Sequence, residues 1–582
     1  MTTTRSGFTK LAAVCIAILL GAVVWELGWP LTRAEHEWSR LIAAVATLGH
    51  LTGILGSYFR KEINRPSLRL LIFQIISCLM IFLLIAREHQ EAGYMRFTEL
   101  SRLVITAGLI AIPTLMSLTR IFEWLVGKQK KGRPLMAPAM QFVASLGVVI
   151  LAGTGLLLLP NSTYPGITLS FTDALFTSTS AVCVTGLNAV DFAHTFTPLG
   201  EMFTLALIQI GGFGIMTFAY FVAMVAGQGF SLRDRVLLTD LLDEDNLGAV
   251  VSFITTIVVS TLFIELCGAV LLYFSWEGKD INLMGEPLWW HSLFHSVSAF
   301  CNAGFSTFPM NLMEPGIRLC YSGQAVIMAL IVCGGLGFGI YKEINSRLAN
   351  RFFSKHRRLH MQWTPYFKLV MISTGILLAG GALAIFAVSS PHAAEPLGEH
   401  LWICLFDSVT ARTAGFNITD YGRYLPAASL IMCGLMMVGG SPGGTAGGMR
   451  TTTCAIAGAE ILRILRGRDH VEFFRRRIDQ RTVARCVITV VVSCAWIGCF
   501  TVLICALEPS MSSLDIFFEN CSAFATVGVS RGITPDLSGP SKYLLIVNML
   551  TGRVGLFAFL IALAGTPTPR HYRYPSVKIP LT

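Results

Sequence analysis

Four short segments of this chain share one order of residue types that could bind an ion. Each begins with a Leu-Phe or Phe-Phe pair, continues through small polar residues, and reaches a glycine followed by an apolar residue. Glycine tolerates positive φ, so consecutive backbone carbonyls can point the same way, and rings of such carbonyls can replace the water shell of a cation. The segments are LFTSTSAVCVTGL (175–187), LFHSVSAFCNAGF (293–305), the shorter LFDSVTARTAGF (405–416) and FFENCSAFATVGV (517–529).

The elements that must hold these segments are membrane-spanning helices. Of the 582 residues, 53% are apolar and 13% are charged, whereas a soluble domain carries about 25% charged residues. This composition argues against a nucleic-acid-binding, secreted or cytosolic protein. Apolar runs long enough to cross a membrane predict twelve spans: Leu11–Trp29, Leu41–Tyr58, Leu68–Ile85, Leu103–Val126, Met136–Leu159, Glu201–Ala226, Val250–Phe274, Ser322–Ile344, Phe367–Val388, Ala427–Ile464, Cys486–Leu507 and Tyr543–Leu563.

Basic residues indicate how these spans are oriented. The stretches 161–169, 389–400 and 508–515 contain no Lys or Arg. Because basic loops stay in the cytoplasm, we expect a multi-pass protein of the cell (plasma or inner) membrane with both termini cytoplasmic. Docking of an acidic partner or of anionic lipid is an open alternative for the basic loops. Basic residues are concentrated in 60–69, 128–133, 233–235, 347–358, 463–477 and 570–578.

The segments recur every 111 to 118 residues, which gives one span, one segment and one span per repeat. Each segment is too short and too polar to cross a bilayer, so it must enter and return, enclosed by protein or beside a water-filled cavity. We predict an all-α polytopic membrane protein with four helix–pore-loop–helix repeats around one pore plus four extra N-terminal transmembrane helices. The predicted domains are 1–134 for this extension, then 135–228, 229–345, 346–465 and 466–582 for pore repeats 1 to 4, the last with a cytoplasmic tail.

The longest apolar run contains a stretch that disfavours a helix. Its ten residues include six glycines and one proline, and a continuous helix there would lose about 9 kcal/mol relative to alanine. We expect an intramembrane loop that acts as a gate; a packed kink is the alternative. The predicted gate comprises Gly439, Gly440, Ser441, Pro442, Gly443, Gly444, Thr445, Ala446, Gly447 and Gly448, together with Arg553.

Three charged residues lie inside or beside apolar runs, where charge is expensive and usually functional. Arg553 either faces the pore and raises the barrier to cations, or pairs with a carboxylate as a structural element. Glu265 is a candidate for a structural polar role, bonded to exposed backbone of a pore helix. Arg412 is expected to brace its pore loop, because a cation facing ions would block them.

The chain resembles the Trk/Ktr/HKT superfamily of potassium transporters over about residues 136–566. The resemblance is carried by RTAGF (412–416), GGSPGGTAGG (439–448) with Thr451–Thr453 after it, and GRVG (552–555). It implies a potassium uptake pore that is not an enzyme, has no covalent cofactor, and works as a homodimer with a separate cytosolic nucleotide-binding regulatory ring. In this family, glycine in all four loops goes with potassium preference, and a serine in the first goes with sodium permeation.

The resemblance also implies which residues line the selectivity filter, where potassium ions would bind. Each stretch ends at the glycine of its segment. The sixteen residues are Cys183, Val184, Thr185, Gly186, Cys301, Asn302, Ala303, Gly304, Arg412, Thr413, Ala414, Gly415, Ala525, Thr526, Val527 and Gly528.

Other interpretations remain open at this point. An alternating-access secondary transporter is the main alternative, although its repeats would be inverted rather than parallel. Sodium or a proton could serve as a coupling ion. The extra N-terminal helices would provide packing, dimer support or a regulatory sensor. The glycine-rich run Gly334–Gly339 is expected to allow close helix packing against a pore helix, and His470–Arg485 to form a short solvated helix.

Overall fold

The computed structural model describes residues 138–214, 250–353, 363–389, 396–556, 559 and 560, with scattered positions between 14 and 52. Of the predicted N-terminal spans, Leu68–Ile85 and Leu103–Val126 lie outside the described residues, and Leu11–Trp29 and Leu41–Tyr58 are described only at scattered positions. The basic stretches 60–69, 128–133, 233–235 and 570–578 also lie outside them.

The described part consists of helices and one two-stranded antiparallel sheet, β1 (Glu472–Phe473) and β2 (Arg476–Arg477). Several helices begin at a side-chain cap, such as Ser170, Thr197 and Thr364, whose hydroxyls accept a backbone N–H of the first turn. The helices are α1 Pro138–Leu157, α2 Phe171–Cys183, α3 Phe192–Thr195, α4 Pro198–Phe213, α5 Val250–Trp276, α6 Leu288–Cys301, α7 Pro315–Arg318, α8 Tyr321–Leu336, α9 Phe338–Phe353, α10 Pro365–Val388, α11 Leu397–Thr410, α12 Pro426–Met437, α13 Thr451–Leu465, α14 Gln480–Leu507, α15 Ser513–Ala525 and α16 Gly539–Val554.

Three described helices are long and apolar enough to cross a membrane: Phe253–Trp276 within α5, and all of α10 and α14. Their windows have mean hydropathies of 2.2, 2.2 and 2.5. Large apolar side chains face outward on them, with Phe263 66%, Ile376 66% and Val502 69% exposed. Such a surface suits lipid rather than water, in agreement with a multi-pass membrane protein.

The helices pack in a circular order. The short helix of each segment lies between two others: α2 between α1 and α4, α6 between α5 and α8, α11 between α10 and α12, and α15 between α14 and α16. In addition, α4 packs on α6, α8 on α11, α12 on α15, and α16 returns to α2. The short helices are therefore enclosed by protein on several sides.

One position of the four segments explains how each short helix is fixed to the helix before it. Ser178, Ser296 and Ser408 donate to backbone carbonyls of α1, α5 and α10, at 2.8, 2.6 and 2.8 Å. A glycine one turn further along each of those helices leaves no room for a Cβ beside the serine hydroxyl. In the fourth segment the longer Asn520 donates to the carbonyl of Ile497 on α14, at 2.8 Å.

The predicted span Ser322–Ile344 is apolar enough to cross a membrane, but it is bent: α8 and α9 meet at 94° at Gly337, which has φ 91°. One prediction about a helix is wrong. Residues 472–477 form a β-hairpin rather than a solvated helix, because Phe474 and Arg475 both take positive φ at its turn. The packing prediction is confirmed at Gly334, where a Cβ would collide with the Phe300 carbonyl at the end of α6.

Candidate functional site

The four segments end their helices a few residues before their glycines. Helices α2, α6 and α15 stop three residues before, and the next residue in each is left-handed, with φ between 51° and 61°. In the shorter third segment, α11 stops at Thr410, five residues before its glycine, and the left-handed residue is Thr413, φ 75°. A left-handed residue turns the chain away from the helix axis, so all four segments continue as non-helical backbone.

The four glycines lie side by side in a closed ring. Their φ values are 89°, 69°, 78° and 93°, a region that other residues rarely adopt. A Cβ on any of them would strike the carbonyl oxygen that precedes the glycine of the next segment, for instance at 2.7 Å for Gly304. The glycine and carbonyl pairs are Gly186 and Ala303, Gly304 and Ala414, Gly415 and Val527, and Gly528 and Thr185.

Backbone carbonyl oxygens are the polar groups that this ring offers. The amides of Gly186 and Gly528 are already engaged, because they donate to Ser180 and Ser522 at 3.0 and 3.1 Å. Within the described ranges, no hydrogen-bond donor reaches the carbonyl oxygens of Thr185, Ala303, Ala414 or Val527. Oxygens without donors, next to the C-terminal ends of four helices, form an environment that favours a cation.

A second set of hydrogen bonds holds the chain as it leaves the ring. The second and third segments carry a serine or threonine at the position that Ser180 and Ser522 occupy in the first and fourth. In these two segments the hydroxyl donates to a backbone carbonyl instead. Ser298 donates to the carbonyl of Phe305 at 2.8 Å, and Thr410 donates to that of Phe416 at 2.6 Å. Each of these carbonyls belongs to the residue directly after a ring glycine.

The residue after each Leu-Phe or Phe-Phe pair differs among the segments. In three of them it hydrogen-bonds the chain that leaves the ring. His295 and Ser306 share a hydrogen bond of 2.8 Å. Glu519 accepts from the Arg531 amide at 2.9 Å and from the Thr534 hydroxyl at 2.9 Å. Asp407 accepts from the hydroxyls of Tyr421, at 2.8 Å, and Tyr424. Thr177 is the exception, because its buried hydroxyl has no partner in the described part of the chain.

The glycine-rich stretch is non-helical between α12 and α13, as expected, and it lies against the helix ends that carry the ring. A Cβ on Gly448 would lie 3.2 Å from Cα of Ala525, the last residue of α15. Thr445 donates to the carbonyl of Phe300 near the end of α6, at 3.2 Å. The loop therefore packs against the ends of the helices that lead into the ring.

This loop is also hydrogen-bonded to the bend between α8 and α9. The Ser441 amide donates to the Gly335 carbonyl at 3.0 Å, and the Phe338 amide donates to the Gly443 carbonyl at 3.0 Å. Tyr366 donates to the carbonyl of Pro442 at 2.9 Å. The bend at Gly337 thus exposes backbone groups that the loop satisfies.

Two arginines hold the loop by its carbonyls. Arg450 donates to the Ala446 carbonyl at 2.5 Å. Arg553 donates to the carbonyls of Thr445 in the loop and Gly211 in α4. The bonds of Arg553 match neither sequence alternative fully, because its partners are backbone carbonyls rather than a carboxylate, and one of them belongs to the glycine-rich loop.

The other two charged candidates are both buried. Glu265 is buried and accepts from Gln209 at 3.1 Å and from the Cys301 thiol at 3.6 Å. The expected bond to pore-helix backbone is wrong for its carboxylate, because the partners in the described structure are side chains. Arg412 is 6% exposed, and its Nε is buried without a partner in the described ranges.

Sequence reasoning missed His295, Asp407, Glu519 and Arg450. The first three stand at one register position of the four segments, so the alignment contained a usable signal. It was hidden because the four side chains differ in type and their partners lie 11 to 17 residues further along the chain.

The chain matches known proteins over most of its length. A family model described as "TrkH: Cation transport protein" matches residues 103–574. The Ktr system potassium uptake protein B of Bacillus subtilis is 34% identical over 446 residues, which cover 74% of this chain and 94% of that protein. The potassium/sodium uptake protein NtpJ of Enterococcus hirae is 32% identical over 466 residues, 78% of this chain and 99% of that protein.

A solved structure shows the same fold. The potassium transporter TrkH from Vibrio parahaemolyticus superimposes with a TM-score of 0.59 at 16% identity, over 96% of this chain and 99% of that one.

Proposed function

This chain belongs to the TrkH family of cation transport proteins, and from that premise we propose that it is a potassium uptake pore whose selectivity filter is the ring of four glycines. Potassium is the substrate, and it crosses the membrane after giving up its water to backbone carbonyls. The observation that carries the proposal is the closed ring itself, in which each glycine meets a carbonyl of the next segment.

The chemistry of the ring supports a monovalent cation as the substrate. Carbonyl oxygens carry partial rather than full negative charge, so they can replace the water shell of a monovalent ion without binding it too tightly to leave. The C-terminal ends of α2, α6, α11 and α15 add further partial negative charge. The names of two relatives, a potassium uptake protein and a potassium/sodium uptake protein, support potassium as this ion.

The filter comprises the sixteen residues that the resemblance implies, and its repeats surround one pore. Support comes from the circular packing, in which the second helix of each repeat also contacts the short helix of the next. Arg412 lies within the third stretch but is buried, which supports bracing rather than ion contact.

The glycine-rich loop is the gate of this pore. It lies against the ends of α6 and α15 and is held by Arg450 and Arg553. Deletion of Gly443 and Gly444 should raise potassium flux in liposomes at an unchanged potassium/sodium ratio. Flux at or below that of the parent chain in a folded variant would leave the glycines as a packing feature.

Control of the gate belongs to a partner. The resemblance implies a homodimer with a separate nucleotide-binding chain, and the name "Ktr system" of two relatives denotes a component of a larger system. We extend both to this chain, with the termini in the cytoplasm.

The decisive experiment is ion-resolved uptake by the purified chain in liposomes. Potassium and sodium entry would be measured on the same preparation, with protein-free liposomes as the control. Uptake of potassium in preference to sodium is expected. Uptake of neither ion by folded protein, with or without a cytosolic partner, would contradict the proposal.

A further inference from the structure

The fourth residue of the second helix in every repeat is a buried polar side chain. These residues are Glu201 in α4, Gln324 in α8, Ser429 in α12 and Lys542 in α16, which are 5%, 1%, 0% and 8% exposed. Buried polar groups cost free energy unless they are hydrogen-bonded, and each of these has a partner in the next repeat.

At the first two junctions a tryptophan provides the hydrogen bond. Trp290 in α6 donates its indole N–H to Glu201 at 2.6 Å. Trp402 in α11 donates in the same way to Gln324, also at 2.6 Å. Both tryptophans stand three residues before the Leu-Phe pair of their segment.

At the third junction an arginine connects the two repeats. Arg531, three residues after Gly528, donates to Ser429 at 2.6 Å and to Asp515 in α15 at 2.6 Å. It also donates to the carbonyl of Tyr421 at 2.9 Å. The second helix of repeat 3 is thereby tied to the short helix of repeat 4.

The fourth junction differs because the peptide chain does not connect its two sides directly. Lys542 in α16 donates to Asp173 in α2 at 2.8 Å, with side chains 10% and 21% exposed. Beside this ion pair, the hydroxyls of Tyr543 and Thr172 share a hydrogen bond of 3.2 Å. These contacts join the last repeat to the first.

We propose that the four junction residues are positioning residues of the filter, and that the Lys542–Asp173 ion pair closes the ring. The proposal rests on the proposed function, because it concerns ion selection. Asp173 lies in the first turn of α2, a helix of 13 residues that ends at Cys183, the first residue of the filter stretch that leads to Gly186. At 1.5 Å per residue such a helix is about 20 Å long, so a small tilt at one end displaces the carbonyls at the other.

The test is a double-mutant cycle on the ring-closing pair, with the potassium/sodium permeability ratio and the thermal midpoint as readouts. Lys542→Gln leaves the partly buried Asp173 without its cation, and Asp173→Asn leaves the buried Lys542 without its anion. Each should lower the ratio about tenfold. The double variant restores a neutral hydrogen-bonded pair and should recover most of the ratio. Arg423→Gln, which removes an ion pair whose side chains are 79% and 53% exposed, is the matched control and should change neither readout.

Two results would overturn the inference. One is a parental potassium/sodium ratio and a parental thermal midpoint in both single variants. The other is a parental ratio with a lower thermal midpoint, as expected for a merely structural pair. If the single variants do not fold, Trp402→Phe decides, since it removes the indole donor to Gln324 without leaving a charge unpaired, and it must also lower the ratio. An absence of potassium uptake by the parent chain would instead contradict the proposed function, which keeps the two failures apart.

Discussion

Polar residues in the four segments have separate tasks according to their position. In three segments the residue after the Leu-Phe or Phe-Phe pair braces the outgoing chain. In all four, the next residue binds the preceding helix, and a hydroxyl two positions later binds at the ring glycine or just beyond it. The segments therefore conserve a bonding pattern more closely than residue types: Ser178 and Asn520 make the same kind of bond with different groups.

Gly186→Ser should relax the discrimination of potassium against sodium. The substituted residue would carry a Cβ at φ 89°, directed at the carbonyl of Ala303, so that carbonyl and its neighbours must move. The potassium/sodium permeability ratio measures the change. Gly155→Ser is the control, because a Cβ on Gly155 meets nothing within 4 Å; equal ratios in both variants would contradict the assignment of the filter.

Glu519→Ala should lower the same ratio more than Glu519→Gln does. The carboxylate accepts from the Arg531 amide and from the hydroxyls of Ser530 and Thr534. Alanine removes the acceptor that the three donors share, at about 1–3 kcal/mol for each donor that stays buried and unsatisfied, whereas glutamine retains an acceptor. Permeability ratios of the two variants at equal abundance check this, and a ratio that is parental in Glu519→Ala would show that the outgoing chain needs no brace.

Second helices that end at glycine recur as an element of this fold. Gly214, Gly337 and Gly555 follow α4, α8 and α16 with φ of 77°, 91° and 88°. In the third repeat the break is extended into the loop 438–450. The composition of that loop allowed its prediction, because six glycines and a proline in ten residues cannot continue a helix at low cost. A single glycine in an apolar run, such as Gly337, carries no comparable signal.

The loop should move more easily when Arg553 is replaced. Arg553→Gln removes one or both bonds from this side chain to the carbonyls of Thr445 and Gly211, so potassium flux at equal protein abundance should increase. Flux into liposomes is the measurement, with Arg423→Gln as the control. Parental flux combined with a lower thermal midpoint would assign Arg553 a structural role only.

At the scale of the whole molecule, the sequence could predict the helices that face the membrane but not the contacts between repeats. Long apolar runs identified α5, α10 and α14, since a membrane span requires length and composition alone. The contacts between repeats could not be predicted, because Glu201 and Trp290 are 89 residues apart and Lys542 and Asp173 are 369 apart. The ring glycines were predictable for a different reason: four occurrences of one pattern are evident without knowledge of any contact.

The outward face of α5 should not tolerate charge. Phe263→Lys would place an ammonium group on a side chain position that is 66% exposed in the middle of an apolar helix, at a cost of about 3 kcal/mol on insertion scales. The amount of protein in the membrane fraction should fall, while Phe263→Leu leaves it unchanged. Normal membrane levels of Phe263→Lys would show that this face does not meet lipid.

The Lys542–Asp173 pair also bears on how the protein is made. Its two partners are 369 residues apart, so translation delivers α2 long before α16. A nascent chain that lacks α16 already has all four segments but not the contacts that join the last repeat to the first. We therefore expect the proposed filter to be held in its final arrangement only after α16 has been made.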